Sequence, residues 1–174
     1  TGDTADFSDS TSAVTVTLVN GAGTATSATT GTDTLSGIEN LVGGSGADSL
    51  SGDDLANLIS GGLGADSLVG GGGNDTLRAG TGTDNDTLDG GAGTGDWVDY
   101  TEVSGPMSVN LATSVASGAG TDTLRNIENI LGSGGADTLV GSSGNNEING
   151  GAGSDRIYAG AGDDRVIFDG GDTV

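Results

Sequence analysis

The sequence predicts an all-β solenoid, in which short strands alternate with glycine-rich turns and coils of eighteen residues stack on one another. Three observations lead to this fold. Glycine supplies 37 of the 174 residues, nine-residue segments recur along the chain, and alternate segments place the same residue types eighteen positions apart. The clearest segments begin at Gly43, Gly61, Gly70, Gly132 and Gly150, and weaker copies in phase occupy residues 52–60, 141–149 and 159–167.

Each nine-residue segment contains a turn followed by a strand. In GGLGADSLV (61–69), the six residues GGLGAD predict the turn and the last three predict the strand, with Leu68 pointing inward. Glycine suits the turn because successive residues must take positive φ or bring backbones close together. One turn reverses the chain, so two segments close one coil. The apolar residues expected in the core are Leu50, Ile59, Leu68, Leu77, Leu88, Val98, Leu139, Ile148, Ile157 and Val166.

The sequence also repeats with a longer period of about ninety residues, which contains several of the nine-residue segments. The segment DTLSGIENLVGGSGADSL (33–50) returns as DTLRNIENILGSGGADTL (122–139), and TGDTADFS (1–8) resembles TGDWVDYT (94–101). We therefore expect two units. The first is 1–93, with linking coils over 1–42 and nine-residue repeats over 43–93; the second is 94–174, with linking coils over 94–131 and repeats over 132–174.

The composition restricts the partners of the chain. The formal net charge is −21 and only 32% of residues are hydrophobic, so the chain needs a positively charged partner to stabilise a folded state. Four arginines cannot neutralise nucleic acid phosphates, and no apolar run is long enough to insert into a membrane. Cysteine and histidine are absent, which excludes the usual zinc ligands. Hard divalent cations remain as the natural partners.

The spacing of the carboxylates favours calcium. Asp48 and Asp66 are eighteen residues apart, as are Asp137 and Asp155, so they would lie on adjacent turns about 4.8 Å apart. Carboxylates at that distance repel each other unless a cation lies between them. Calcium accepts six to eight oxygen ligands in irregular geometry, including backbone carbonyls, whereas magnesium requires a regular octahedron and retains its waters.

These residues resemble a known family. The pattern G-G-x-G-x-D-x-U-x, where U is a large apolar residue, is that of the RTX (repeat-in-toxin, haemolysin-type) calcium-binding nonapeptide. The resemblance implies a parallel β-roll, a β-helix solenoid with several Ca²⁺ ions between stacked glycine-rich turns. Carbonyls of turn places one to four would bind these ions and the sixth-place aspartate would bridge them. The implied ligand residues are Gly44, Gly46, Asp48, Asn57, Gly62, Gly64, Asp66, Gly71, Gly73, Asp75, Gly80, Gly82, Asp84, Asp86, Gly91, Gly93, Asp96, Asp137, Asn146, Gly151, Gly153, Asp155, Gly160, Gly162 and Asp164.

Some turns depart from the pattern. Asp84 fits the register of the glycines and Asp86 fits that of Leu88, so either could be the ligand. Asn57 and Asn146 offer an oxygen without a charge. Glu39 and Glu128 lie where an aspartate would, but in shortened turns that lack the glycines, and we expect no complete site there. Asp53 occupies a turn place usually held by glycine or a polar residue, and we expect it to lie at the surface, where its loss would only reduce repulsion.

The predicted function is structural. The turn pattern accounts for every regular aspartate, so we expect no catalytic residue, no organic cofactor and no enzymatic activity. We predict a calcium-binding module of a secreted or cell-surface bacterial protein that folds on calcium and serves as a scaffold or spacer in an adhesin, surface layer or filament. Neighbouring copies of the repeat or other surface components would be its further partners. The alternative is the C-terminal RTX region of a type I-secreted toxin or hydrolase.

Overall fold

A computed structural model of the chain describes residues 2–29 and 31–174, which contain nineteen β-strands and no helix. In this part of the chain, nothing has the helical length and apolar character that a membrane crossing requires. The strands are β1 (Thr4–Asp6), β2 (Val14–Val19), β3 (Ala22–Ser27), β4 (Gly31–Ser36), β5 (Asn40–Val42), β6 (Ser49–Ser51), β7 (Leu58–Ser60), β8 (Ser67–Gly72), β9 (Thr76–Arg78), β10 (Thr87–Ala92), β11 (Trp97–Asp99), β12 (Ser108–Asn110), β13 (Val115–Ser117), β14 (Thr121–Arg125), β15 (Asn129–Leu131), β16 (Thr138–Val140), β17 (Glu147–Asn149), β18 (Arg156–Tyr158) and β19 (Arg165–Ile167).

The strands form two sheets, and the chain alternates between them at each turn. The first sheet has the order β1-β5-β7-β9-β11-β15-β17-β19 and the second has the order β18-β16-β12-β13-β14-β10-β8-β6-β2-β3-β4. Leu50 pairs with Leu68 in parallel, and Leu139 pairs with Ile157, both eighteen residues apart. The predicted coil of two segments is therefore confirmed, and so is the all-β parallel roll.

Two antiparallel meanders interrupt the second sheet. Strands β2, β3 and β4 pair antiparallel at one end of the sheet, and β12, β13 and β14 do the same in its middle. The first meander turns at Asn20 and Gly21, both with positive φ (52° and 71°), which is the dipeptide that a tight hairpin favours. The linking segments therefore contain hairpins in addition to coils.

The core is a single column of apolar side chains between the two sheets. Nine of the ten core residues expected from the repeat have an exposed fraction of 1% or less, and Val166 near the end of the stack is partly buried. Each coil contributes only one or two such side chains, so the column is thin. Burial of apolar surface alone leaves little to offset the charge of the chain.

The two units of about ninety residues predicted from the sequence lie in one continuous stack. Strand β11 of the second unit pairs in parallel with β9 of the first, and β14 pairs in parallel with β10. We call this contact the internal junction.

Candidate metal sites between the turns

The sixth-place side chains lie inside the turns, along two edges of the stack. On the first edge the chain passes from the first sheet to the second, and on the second edge it returns. The first edge carries Asp48, Asp66, Asp86, Asp137 and Asp155, and the second carries Asn57, Asp75, Asp96, Asn146 and Asp164. Nine of these ten residues are buried and Asp164, near the end of the stack, is half-buried.

A ladder of hydrogen bonds connects the carboxylates of successive coils. The amide of Asp48 donates to Asp66 Oδ1 at 2.8 Å, the amide of Asp66 donates to Asp86 Oδ1 at 2.8 Å, and that of Asp86 donates to Asp122 Oδ1 at 3.1 Å. We call this series the carboxylate ladder. The same bond links Asn57 to Asp75, Asp75 to Asp96, Asp137 to Asp155 and Asn146 to Asp164. Each carboxylate is thereby fixed over the turn that precedes it in the stack.

The second oxygen of four aspartates has no protein partner. Oδ2 is buried and accepts no hydrogen bond in Asp66, Asp75, Asp96 and Asp155. A buried carboxylate oxygen without a donor is costly, because the group has lost its hydration without compensation. These four oxygens therefore indicate a ligand that is not a protein donor, and a carboxylate oxygen calls for a cation.

Backbone conformation explains why these oxygens lack a donor. The second-place glycines of the same four turns all have positive φ: Gly62 (101°), Gly71 (114°), Gly91 (95°) and Gly151 (88°). In the turns of Asp48 and Asp137, where the second-place residue lacks positive φ, its amide donates to the Oδ2 of the aspartate at 2.7 and 2.6 Å. The positive-φ glycine thus accompanies an amide that points away from the carboxylate.

The glycines also allow carbonyl oxygens to approach from the neighbouring turn. A side chain on Gly62 would collide with the carbonyl oxygen of Gly44, and one on Gly64 would collide with that of Gly46. Gly151 and Gly153 have the same relation to the carbonyls of Ser133 and Gly135. Backbone oxygens therefore lie between adjacent turns, close to the sixth-place carboxylates.

Burial changes the acidity of the ladder carboxylates. The pKa of Asp66 is raised from its ordinary value of 3.8 to about 7: loss of hydration is the largest cause, the Asp48 amide lowers the pKa, and the charges of Asp86, Asp48 and Asp84 add to the rise. Burial likewise raises the pKa of Asp75 and of Asp86 to about 6. The protein groups around these carboxylates disfavour their negative charge, and a cation would favour it.

No three acidic side chains converge on one point within residues 2–29 and 31–174. Each turn brings one carboxylate to the stack, and the remaining oxygens nearby are backbone carbonyls. A cation bound between turns would therefore take most of its ligands from the backbone. This donor set, carbonyls with a few carboxylates, suits calcium.

Comparison with known families agrees with this chemistry. A profile of the RTX calcium-binding nonapeptide repeat matches four segments, residues 33–54, 51–85, 81–94 and 131–166, which together cover more than half of the chain. The chain belongs to the RTX calcium-binding repeat family. Comparison with curated proteins gives no match. RTX repeats bind Ca²⁺ ions between their turns, so this chain is a calcium-binding repeat module with several ions.

The structure separates the two aspartates that compete for one place in this RTX stack. Asp86 is buried and joins the carboxylate ladder through both its amide and its Oδ1. Asp84 is exposed. Asp86, whose position follows the register of Leu88 and not that of the glycines, therefore lies with the other sixth-place carboxylates.

The two asparagines make contacts that an aspartate could not make. Asn57 Nδ2 donates to the carbonyl of Glu39 at 2.7 Å, and Asn146 Nδ2 donates to the carbonyl of Glu128 at 2.6 Å. Their Oδ1 atoms accept from the amides of Asp53 and Ser142 within their own turns. At both places a side-chain amide bonds the carbonyl of the preceding coil.

The ladder has members beyond the ten residues of the regular turns: Glu39 and Glu128, which the sequence places where an aspartate would lie, and Asp122, which was not identified from the sequence. Glu39 accepts from the amide of Asp3 at 2.8 Å and Glu128 from that of Asp96 at 3.0 Å, so both glutamates extend the ladder. Asp122 accepts from Asp86 and also from the hydroxyl of Tyr100, at 2.9 Å. The signal for Asp122 was available, because DTL at 122–124 repeats DTL at 86–88.

The expectation for Asp53 was wrong. This residue is buried, and its Oδ2 accepts from the amide of Gly21 at 2.5 Å while its Oδ1 accepts from the amide of Leu55 at 2.9 Å. The partner Gly21 lies in the first meander, 32 residues away, which the repeat pattern could not reveal. Asp53 therefore anchors the meander to the roll.

Proposed function

We propose that the chain is a calcium-dependent structural module of a secreted or cell-surface protein, where it serves as a rigid scaffold or spacer. The observation that carries this proposal is the set of four buried carboxylate oxygens without a protein donor, each in a turn with a positive-φ glycine. Such a stack is stable only with its cations, because the ladder carboxylates repel one another and the core is thin.

The ligands would come from adjacent turns on one edge. Asp66, Asp75, Asp86, Asp96 and Asp155 would supply carboxylate oxygens, and the second- and fourth-place residues of the preceding turn would supply carbonyls. Asp86 is the better candidate than Asp84 because it is buried within the ladder. Asn57 and Asn146 lie on the second edge, and their side-chain amides bond to the carbonyls of the preceding coil. At these two places hydrogen bonds would replace a cation.

The internal junction supports a role as a repeating scaffold. The carboxylate ladder passes through it without interruption, from Asp86 to Asp122 on one edge and from Asp96 to Glu128 on the other. Units of about ninety residues can therefore be added in series with the same contacts each time. An extracellular setting would supply the ion, since extracellular modules bind calcium with dissociation constants of about 10⁻⁴ to 10⁻³ M.

Stretching single molecules tests the scaffold role. The chain is held by its two ends in optical tweezers, in calcium, in magnesium and in excess chelator. We expect discrete unfolding steps in calcium, because strands held by bridging ions resist separation, and smooth polymer extension in chelator. Identical force–extension curves in calcium and in chelator would rule out a calcium-dependent scaffold.

A further inference from the structure

The glycine-rich turns of the stack are of two kinds, which differ in the backbone at the second place. In six turns, which we call open, the second-place residue is a glycine with positive φ; these turns lead to Asp66, Asp75, Asp86, Asp96, Asp155 and Asp164. In four turns, which we call closed, the second-place residue lacks positive φ; these turns lead to Asp48, Asn57, Asp137 and Asn146. The closed turns belong to the first coil of nine-residue repeats in each unit, residues 43–60 and 132–149.

In a closed turn, the second-place amide donates to the sixth-place side chain of the same turn. The amide of Asp53 donates to Asn57 Oδ1 at 2.9 Å. The amide of Ser142 donates to Asn146 Oδ1 at 2.7 Å, and the other two closed turns have the same bond to Oδ2 of their aspartates. A cation on the same oxygen would lie beside the positive end of the N–H group, which repels it. A closed turn therefore satisfies its own side chain without an ion.

In open turns, the second-place amide is directed elsewhere. The amide of Gly91 donates to Asp89 Oδ1 and the amide of Gly151 donates to Asn149 Oδ1, both at 3.1 Å. Each acceptor lies two residues before its glycine, outside the turn. The same two turns leave the Oδ2 of their sixth-place aspartate buried without a protein donor. At this oxygen a cation has no competitor.

The linking segments supply the second contact of the closed turns. The amide of Val14 donates to Asp48 Oδ1 and the amide of Met107 donates to Asp137 Oδ1, both at 2.7 Å. Both donors belong to linking segments. Each of these two aspartates therefore has both of its oxygens bonded to backbone amides, whereas the open-turn aspartates Asp66 and Asp155 have one oxygen bonded and one without a protein donor.

The turn of Asp48 shows that the packing around a turn, and not its glycine pattern alone, closes it. Its sequence GGSGAD (43–48) has all the glycines of an open turn. A side chain on Gly44 would collide with the carbonyl oxygen of Ser10, which accepts from the amide of Ser45 at 2.9 Å. The linking segment thus packs against this turn where an open turn has another glycine-rich turn.

Protein donors also occupy the carboxylate ladder in the linking segment of the second unit. Asp122 accepts from the amide of Asp86 through Oδ1 and from the hydroxyl of Tyr100 through Oδ2. Tyr100 and Asp122 both have an exposed fraction of 1%. Glu128 Oε2 accepts from the amide of Asp96 at 3.0 Å. At Asp122 a neutral hydroxyl therefore takes the place that a cation would take.

Sixth-place asparagine follows the same division. Asparagine occurs in two of the four closed turns and in none of the six open turns. Its amide oxygen accepts the second-place amide as a carboxylate oxygen does, but it offers no charge to a cation. Asparagine is thus compatible with a turn that closes on its own amide, and its presence is expected where no ion binds.

We propose that residues 43–60 and 100–149 bind no ion through their turn side chains, and that the calcium ions lie in two separate groups, at the open turns of residues 61–96 and 150–164. The second-place backbone separates the two classes, because a positive-φ glycine leaves the carboxylate oxygen to the ion and an inward amide replaces the ion. Backbone carbonyls of a closed coil remain available to the open turn that stacks on it. This inference rests on the proposed function and deepens it, since it states which turns bind calcium.

The division removes four residues from the ligands that the RTX pattern implies. They are Asp48, Asn57, Asp137 and Asn146. In this chain the family pattern alone therefore does not identify a calcium ligand, and the direction of the second-place amide does.

Counting bound ions tests the division. Equilibrium dialysis with radioactive calcium gives the number of ions per chain, at a calcium concentration where far-UV circular dichroism shows each variant to be folded. Asp155→Asn should bind about one ion fewer than the wild type, whereas Asp137→Asn, on the adjacent turn of the same edge, should bind the wild-type number. Asp66→Asn and Asp48→Asn form the corresponding pair in the first unit.

Gly151→Ser tests the role of the second place. An L-residue rarely adopts the φ of 88° found there, and its Cβ would collide with the carbonyl oxygen of Ser133. The turn should therefore take the closed form that Ser133 has in its own turn, and the variant should fold in calcium with about one ion fewer. Gly170→Ser is the control, because a Cβ there meets nothing within 4 Å, and it should bind the wild-type number.

The outcomes separate this inference from the proposed function. If Asp48→Asn and Asp137→Asn lose as many ions as Asp66→Asn and Asp155→Asn, the division is wrong although the chain binds calcium. The wild-type number of ions in all four variants would also overturn it, because the open-turn carboxylates would then not be ligands. A wild-type chain that binds no calcium would overturn the proposed function itself.

Discussion

A ladder carboxylate has two roles, because it accepts a backbone amide and would bind a cation. Two substitutions of Asp66 separate these roles. Asp66→Ala removes the acceptor of the buried Asp48 amide, whose bond to Oδ1 is 2.8 Å long. An unpaired buried amide costs about 1–3 kcal/mol, which is roughly a five- to 150-fold change in the folding equilibrium constant. This loss should occur at any calcium concentration that supports folding, because the amide stays buried. The alanine variant loses the cation ligand in addition.

Asp66→Asn isolates the second role. Asparagine retains an Oδ1 that accepts from the Asp48 amide, but it lacks the negative charge and the buried Oδ2 with which Asp66 would bind a cation. We expect the calcium midpoint to rise about tenfold, since ligand charge sets calcium affinity. In excess chelator the same variant should be easier to fold than the wild type, because a neutral amide is less costly to bury than a carboxylate.

Calcium titrations followed by far-UV circular dichroism measure both variants. Asp54→Asn is the first control, because Asp54 is an exposed turn carboxylate and its loss should move the midpoint little. Asp48→Asn is the second, because both Asp48 oxygens already accept amides, from Val14 and Gly44, and its effect should be smaller than that of Asp66→Asn. Equal midpoints for Asp66→Asn and Asp54→Asn would refute the assignment of Asp66 as a cation ligand.

Three further predictions follow from the site. Asp86→Ala should raise the calcium midpoint at least about tenfold and Asp84→Ala little, because only Asp86 is buried in the ladder; a larger effect of Asp84→Ala in the same titration would reverse the assignment. Magnesium, added at the concentration at which calcium folds the chain, should leave the circular dichroism spectrum of the calcium-free chain unchanged, because irregular carbonyl sites do not suit an octahedral ion. In chelator, the folded state should gain stability as pH falls. The pKa of Asp66 is about 7 in the folded chain against an ordinary 3.8, so between these two values the folded chain binds more protons than the unfolded chain. The gain is complete below pH 3.8 and is lost as pH rises through about 7. Far-UV circular dichroism of the chelated chain at about pH 8 and about pH 5 measures this as a gain of β structure at the lower pH, and in calcium the same protons should instead raise the calcium midpoint.

The repetitive part of the structure could be predicted because its causes are local. The spacing of Leu50 and Leu68 fixed the coil, and the place of Asp48 and Asp66 relative to them fixed the edge on which the carboxylates lie. Asp86 remained ambiguous because an insertion in the turn shifts the glycines relative to the strand, and only the strand register determines which side chain enters the ladder.

The linking segments were less predictable because their contacts are distant in sequence. The meander at β2, β3 and β4 has a local signal, since an Asn-Gly pair follows the alternating residues 14–19, but the repeat pattern predicts coils in this segment. The contacts of Asp53 with Gly21 and of Asp122 with Tyr100 join residues 32 and 22 apart. No pattern of nine or eighteen residues contains that information.

The central claim is that calcium folds this chain. The most direct measurement compares the hydrodynamic radius and far-UV circular dichroism of the wild-type chain in excess chelator and in saturating calcium. The charge of −21, the thin core and the four unpaired buried carboxylate oxygens predict an expanded, largely unstructured chain in chelator and a compact, β-rich one in calcium. A compact, β-rich chain that is unchanged by excess chelator would contradict the account.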